Sequence, residues 1–177
     1  MDLDLKRVNL GQQIAAIGSV LLFIFLFIGW YKVGGAVGAF ADQLGVNVSL
    51  KGWDAHTLLR WLMLLTIVAA LALAFMNAAK RELPKLPLSP SVILAVLAAV
   101  TTLLLAFRMF INQPGPDKLI DLKFGAWLGL LSLIAITAGA WLSMRAEGTS
   151  VRAAGEQMRK AVGTPTHKEE PPAAPTS

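Results

Sequence analysis

Cysteine is absent from the 177 residues, so disulfides, thiolate metal sites and cysteine nucleophiles are excluded. Histidine occurs twice, and His167 lies close to the C-terminus, which leaves His56 as the one imidazole in the body of the chain. HExxH helices, GxSxG elbows, phosphate-binding glycine loops and metal-ligand spacings are all missing, as are paired carboxylates inside the apolar stretches. Asp54 and His56 stand one residue apart in a connecting segment, where solvated neighbours are the ordinary case. The sequence therefore reads as non-enzymatic, with no cofactor and no metal. Charge is scarce too. Charged residues make up 15% of the chain, against about a quarter in soluble globular proteins.

What replaces charge is hydrocarbon. Hydrophobic residues reach 55% and the mean hydropathy is +0.61. Four long apolar runs carry most of them: about Gly11 to Trp30, with the core VLLFIFLFIGW at Val20 to Trp30, then Thr57 to Ala79, Leu88 to Ile111 and Phe124 to Met144. At about 1.5 Å of rise per residue, runs of some twenty residues cross a roughly 30 Å hydrocarbon layer. None has an ionisable group in its middle third. The expected fold class is all-α, a polytopic membrane protein with four transmembrane helices in a compact bundle and the lipid bilayer as its first partner. A cleaved leader competes for the first run, because Ala39-Phe40-Ala41 has the small residues of a cleavage site. Asp2 and Asp4 do not suit a basic leader, and the distance from Trp30 to that site is long, so a retained helix is expected.

Lysine and arginine set the orientation. Lys6, Arg7, Lys80, Arg81, Lys85, Arg145, Arg152, Arg159 and Lys160 fall on one side, while Lys32, Lys51, Lys118 and Lys123, with Arg60 and Arg108 near span ends, fall on the other. Both termini are thereby expected in the cytoplasm, with the protein multi-pass in the cell membrane. The net charge of +5 flanks the spans, where anionic lipid would attract it, rather than forming a stripe suited to nucleic acid.

Domain organisation follows from these runs. Residues 1–144 form the transmembrane domain, residues 145–163 a short cytoplasmic amphipathic segment through Val151, Met158 and Val162, and residues 164–177 a tail with four prolines and no large apolar residue, expected to be disordered. In the long outer loop, Val33, Val37, Phe40, Ala41 and Leu44 recur at helical spacing, so Val33 to Leu44 reads either as a short interfacial helix or as a loop broken by Gly34, Gly35 and Gly38. Asn47-Val48-Ser49 matches a glycosylation triplet. Asn112 to Asp117 reads as a tight proline-rich turn.

Two constellations stand out. Small residues line the later spans, namely Thr66, Ala70 and Ala74, then Ser91, Ala95, Ala98, Thr102 and Ala106, then Gly125, Gly129, Ser132, Gly139 and Ser143; they predict helix seams, with Gly125, Gly129 and Gly139 as packing positions. Arg60 and Arg108 each lie three residues inside an outer span end, below Asp54, His56, Asp117 and Asp121. Ion pairs across the outer mouth are available to them, and pinning of the loops or snorkelling to headgroups is the plainer expectation. Trp30, Tyr31, Trp53, Trp61 and Trp127 at the outer boundary, with Trp141 at the inner one, read as an interfacial belt.

A short basic N-terminus, long first outer loop, short basic inner loop and basic tail together resemble the topology of claudin-like four-span proteins, although the cysteine pair of that family's first loop is missing here and no functional residue carries over. In texture, notably GAWLGLLSLIAITAGAWLSMR at Gly125 to Arg145, the chain resembles small uncharacterised four-span membrane proteins of actinobacteria, a likeness that implies no activity. The functional expectation is an accessory or scaffold component of a membrane assembly, meeting a partner membrane protein or further copies of itself. The alternative is a small oligomeric channel or transporter, for which the spans offer Thr66, Thr101, Thr102, Ser132 and Thr137 at mid-depth.

Overall fold

The computed structural model describes residues 8–46, 49–55, 57–79, 89–111 and 120–150, together with Arg152, Ala153, Gly155, Glu156 and Arg159. His56, Asp117, Asn47 and Val48 of the glycosylation triplet, the Asn112 to Asp117 turn, the basic residues Lys6, Arg7, Lys80, Arg81, Lys85 and Lys160, most of the 145–163 segment after Ser150 and the 164–177 tail lie outside the described residues.

The protein is mostly helical and membrane-embedded. Three helices are long and apolar enough to cross a bilayer: α4 (Thr57–Ala78), α5 (Pro90–Phe110) and α6 (Phe124–Ala146). At 22, 21 and 23 residues, each extends about 30 Å or more. A shorter apolar helix, α1 (Leu10–Phe25), accompanies them. Pro90 at the first turn of α5 suits a helix start, because the amide it lacks has no helical acceptor there. Large apolar side chains cover the outside, including Leu58, Leu65 and Val68 on α4, Leu103 and Phe110 on α5, and Leu131 and Ile134 on α6. A surface this apolar on all sides suits hydrocarbon and not water.

Inside, α6 packs against α1 and α5, and α4 packs against the same two helices. The α1–α6 seam is the closest. A Cβ on Gly139 would lie 2.5 Å from the Gly11 carbonyl oxygen and 2.6 Å from the Ala15 amide, a Cβ on Gly11 would strike the Gly139 carbonyl, and one on Gly18 would sit 3.1 Å from the Ser132 carbonyl. Lipid supplies no hydrophobic drive between helices, so backbone approach of this kind supplies the contact. The other seams are pinned by hydroxyls: Thr66 to Thr101 across α4–α5 at 3.1 Å, and Thr102 to Thr137 across α5–α6 at 2.9 Å. Each of these threonines also donates to, or shares its proton with, the carbonyl four residues back. At the end remote from the helix α4 start, Asn9 Oδ1 caps the Gln12 amide at 2.8 Å and accepts from Ser143 Oγ at 2.7 Å. Nearby, Ser89 and Ser91 at the start of α5 donate to the Glu147 carboxylate just past α6.

One expectation is corrected. The first apolar run is not helical through Trp30: α1 ends at Phe25, and Gly29–Val33 is a strand, β1. The mostly helical fold also contains a small sheet that the sequence reading did not include. β1 is the centre of a three-stranded antiparallel sheet, flanked by β2 (Ser49–Lys51) and β3 (Ile120–Leu122), with Tyr31 opposite Leu50 on one side and Leu122 on the other. The physical reason lies in the carbonyls at and just past the end of α1, which find donors from outside the helix. Trp30 Nε1 donates to Phe25 O at 2.7 Å, the Trp53 amide to Leu26 O at 2.9 Å and the Gly52 amide to Ile28 O at 3.3 Å. Between β1 and β2 the chain forms a helix, α2 (Gly35–Gln43), as one of the two readings of Val33 to Leu44 has it; Gly35 opens it at φ 64°, a conformation that glycine adopts without cost. A single turn, α3 (Gly52–Ala55), then leads to α4.

The seam geometry makes a direct prediction. Gly139→Leu should lower the unfolding free energy in detergent micelles by about 2 kcal/mol or more, since the added side chain has only backbone to displace. Leu131→Ala, on the exposed outer side of the same helix, should change it by under about 0.5 kcal/mol, and equal losses from both would contradict the close-seam account.

Candidate functional site

The sheet end of the molecule is organised around Trp30. Its side chain has no exposed surface and occupies a slot cut by three glycines. A Cβ on Gly129 or Gly52 would strike the indole ring, and one on Gly125 would lie 3.1 Å from Trp30 Cδ1 and 2.6 Å from the Gly29 carbonyl. The backbone of the same residue holds the neighbouring segment, because the Lys123 amide, at the start of α6, donates to Trp30 O at 2.7 Å. One residue thus ties α1, β1, α3 and α6 together. Gly125 and Gly129 are consumed by this slot and Gly139 by the α1 seam, which places all three packing glycines inside the chain and not on an outer face.

Tyr31 is equally buried. Burial pushes its phenol up to about 12 from the ordinary 10.0, and the Arg108 guanidinium opposes the shift. Below pH 10 the phenol is neutral whether the chain is folded or not, so it costs nothing there. Between pH 10 and 12 the unfolded chain ionises first, and the folded state loses stability as pH rises.

Arg60, in the first turn of α4, does not pair with Asp54. Its Nη1 donates to Trp53 O at 3.3 Å, and its guanidinium carbon lies 4.9 Å from the Trp53 ring centre and 5.5 Å from that of Trp61. Phe27 stacks on the other side of Trp53 at 5.5 Å, and Phe23 meets Phe27 edge-on at 5.3 Å. The result is a ladder of aromatic faces ending on a cation, an arrangement favoured by the negative ring face. Arg60 Nε is buried with no hydrogen-bond acceptor. Asp54 is exposed on α3, and Asp121 lies exposed on β3 across from Lys32. The Trp belt also divides. Trp61, Trp127 and Trp141 are exposed near helix ends, with Arg145 over Trp141 at 5.3 Å, whereas Trp30 and Tyr31 belong to the core.

Beside this ladder, α4 and α5 part to leave a groove of about 810 Å³, open on the outside of the molecule, lined by Leu58, Leu62, Leu65, Leu104, Phe107 and, at its sheet end, Arg108. A second groove of about 460 Å³ lies between α1 and α4 at the opposite end, between Val8, Ile17 and Phe75, without a charged lining residue among those described. No group of three or more metal-ligating side chains occurs among the described residues. Chemically, the sheet end offers cations embedded in aromatic and aliphatic surface, suited to holding an anion at an apolar boundary.

Sequence reasoning missed the role of Trp30. The signal that could have found it is Gly125 and Gly129, one turn apart on α6, together with Gly52 on α3: three glycines on two segments leave room for one large ring. No family model matches the chain, and neither a curated protein nor a solved structure matches it.

The chain has a single tyrosine, so absorbance at 295 nm reports Tyr31 alone. Its titration midpoint should fall near 12 in the folded protein and near 10 after denaturation, with thermal stability declining across the same interval; a folded midpoint at 10 would place the phenol in water. Trp30→Ala should cost about 3–5 kcal/mol by emptying the glycine slot, read as loss of chemical stability in micelles.

Proposed function

We propose that the chain is a four-span protein of the cell membrane with both termini in the cytoplasm, acting as a non-enzymatic accessory or scaffold component that docks a partner membrane protein through its outer platform. The fourth span in this reading is α1. Support for it comes from the depth it shares with α6: Gly11 lies against Gly139 and Ser143 at one end, Gly18 against Ser132 in the middle, and Ile28 and Gly29 against Gly125 at the other. Residues 8–28 on one strand of chain and 125–143 on the other therefore cover the same thickness. Orientation rests on the excess of lysine and arginine at the end opposite the sheet.

One observation carries the docking role. Helix α2 presents Val37, Phe40 and Leu44 to the outside, each more than half exposed, and it is attached to a sheet that Trp30 locks to the helices. An apolar row held on a rigid base has the character of an interface, because the entropy of ordering it is already spent in folding. Conduction finds less support. Thr66, Thr101, Thr102 and Thr137 bond one another and their own helices, and Ser132 donates to Leu128 O, so these mid-depth hydroxyls are engaged instead of lining a path.

A photoreactive residue at position 40 should give one predominant protein adduct in native membranes, and Val37→Ser with Phe40→Ser should abolish it while leaving the protein in the membrane. Adducts with lipid alone would mean that α2 rests on the bilayer and that docking lies elsewhere. Reporter fusions at the two ends should both read cytoplasmic; opposite readings would remove α1 as a span.

A further inference from the structure

The groove between α4 and α5 carries a charged lining residue, which the one between α1 and α4 lacks among the described residues. Its walls are leucine and phenylalanine down to Leu65, and its sheet end carries Arg108. Leu65 lies eight residues below Thr57, about 12 Å into the membrane. The groove opens sideways, on the face covered with Leu58, Leu103 and Phe107, so whatever fills it arrives from the bilayer and not from water. Its volume of about 810 Å³ is within the range of small-ligand sites, about 300–1,000 Å³. No acidic side chain is among the described lining residues, and Arg60, on the neighbouring turn of α4, adds positive charge at the same level. An aliphatic channel closed at its headgroup end by a five-donor cation is complementary to one class of bilayer molecule.

We propose that this groove is a binding site for an anionic phospholipid, one acyl chain lying between Leu62 and Leu104 and the phosphate meeting the Arg108 guanidinium. Arg108 lines the groove and also has an interaction within the protein, and a guanidinium carries five N–H donors in all. The companion groove beside Val8 and Phe75 takes acyl chains without regard to headgroup, because no described lining residue there is charged. The site rests on the transmembrane reading above, in which the sheet end lies at a headgroup layer.

The test is native mass spectrometry of the delipidated protein titrated with phosphatidylglycerol or phosphatidylcholine of identical chains. The wild type should retain one phosphatidylglycerol with at least about tenfold preference over phosphatidylcholine, the factor that a charge-assisted hydrogen bond supplies. Arg108→Gln should reduce that preference to about twofold or less, and Leu62→Trp with Leu104→Trp, which fills the groove, should remove tight binding of both lipids at this site. Equal retention of the two lipids by the wild type overturns the proposal and requires no variant to fold. Undiminished phosphatidylglycerol binding in a folded Arg108→Gln protein, or in the filled groove, overturns it as well. Flotation with vesicles separates the two levels: a protein that fails to float with either lipid refutes the transmembrane reading, whereas one that floats without headgroup preference refutes the lipid site alone.

Discussion

The indole of Trp30 inside its glycine slot is the contact on which the sheet end depends. Two segments distant in sequence, α3 at Gly52 and α6 at Gly125 and Gly129, must omit side chains for one ring to fit. The ring then repays the omission by filling the space and by donating its N–H to Phe25 O, where the helical ladder of α1 runs out of partners. That carbonyl also accepts from the Ile28 amide at 3.2 Å, so the indole is its second donor, filling the remaining acceptor capacity of a carbonyl in an apolar setting. A helix end, a strand and the first turn of another helix are therefore consequences of one side chain.

From that point the connecting segments inherit order. β1 recruits β2 from the same loop and β3 from the segment before α6, so the two connections on this side of the helices form one unit instead of two independent loops. α3, anchored by Gly52 and Trp53, sets the aromatic faces against which Arg60 comes to rest. The arginine is held by rings and a carbonyl, with no counter-ion among the described residues, an arrangement that suits guanidinium because it is weakly hydrated and planar.

Much of the helical content was legible in the sequence because length and apolar continuity are sufficient signals for it. Thr57 to Ala79, Leu88 to Ile111 and Phe124 to Met144 correspond to α4, α5 and α6 within two residues at each end. The first run failed at its outer end for the same reason that the others succeeded: Phe25 to Trp30 is apolar, and apolarity alone does not separate membrane helix from buried strand. Strands of three residues leave no readable alternation, which hid β2 and β3. At the candidate site, the depth of Arg60 and Arg108 was legible and their partners were not. Asp54 was one of four groups the sequence placed above the arginines, yet α3 brings Trp53 to Arg60 and leaves Asp54 exposed. Likewise the aromatic residues at a span end share one composition whether they lie exposed, as Trp61 does, or fill a core, as Trp30 does. The small residues of α1, Gly11, Ala15 and Gly18, form half of the tightest seam and were overshadowed by the richer stripes of the later helices.

Thr101 and Thr102 are consecutive on α5, so their side chains diverge by about 100° and engage α4 through Thr66 and α6 through Thr137. Both clasps therefore sit at one height, with aliphatic contacts above and below. Such a helix has an axle: it resists sliding along its length, since that would break both hydroxyl pairs together, while tilting about the axle stretches neither. Any opening or closing of the gap toward Leu104 and Phe107 would accordingly be a rocking of α5, with an opposite and larger movement at Ser91, about ten residues from the axle.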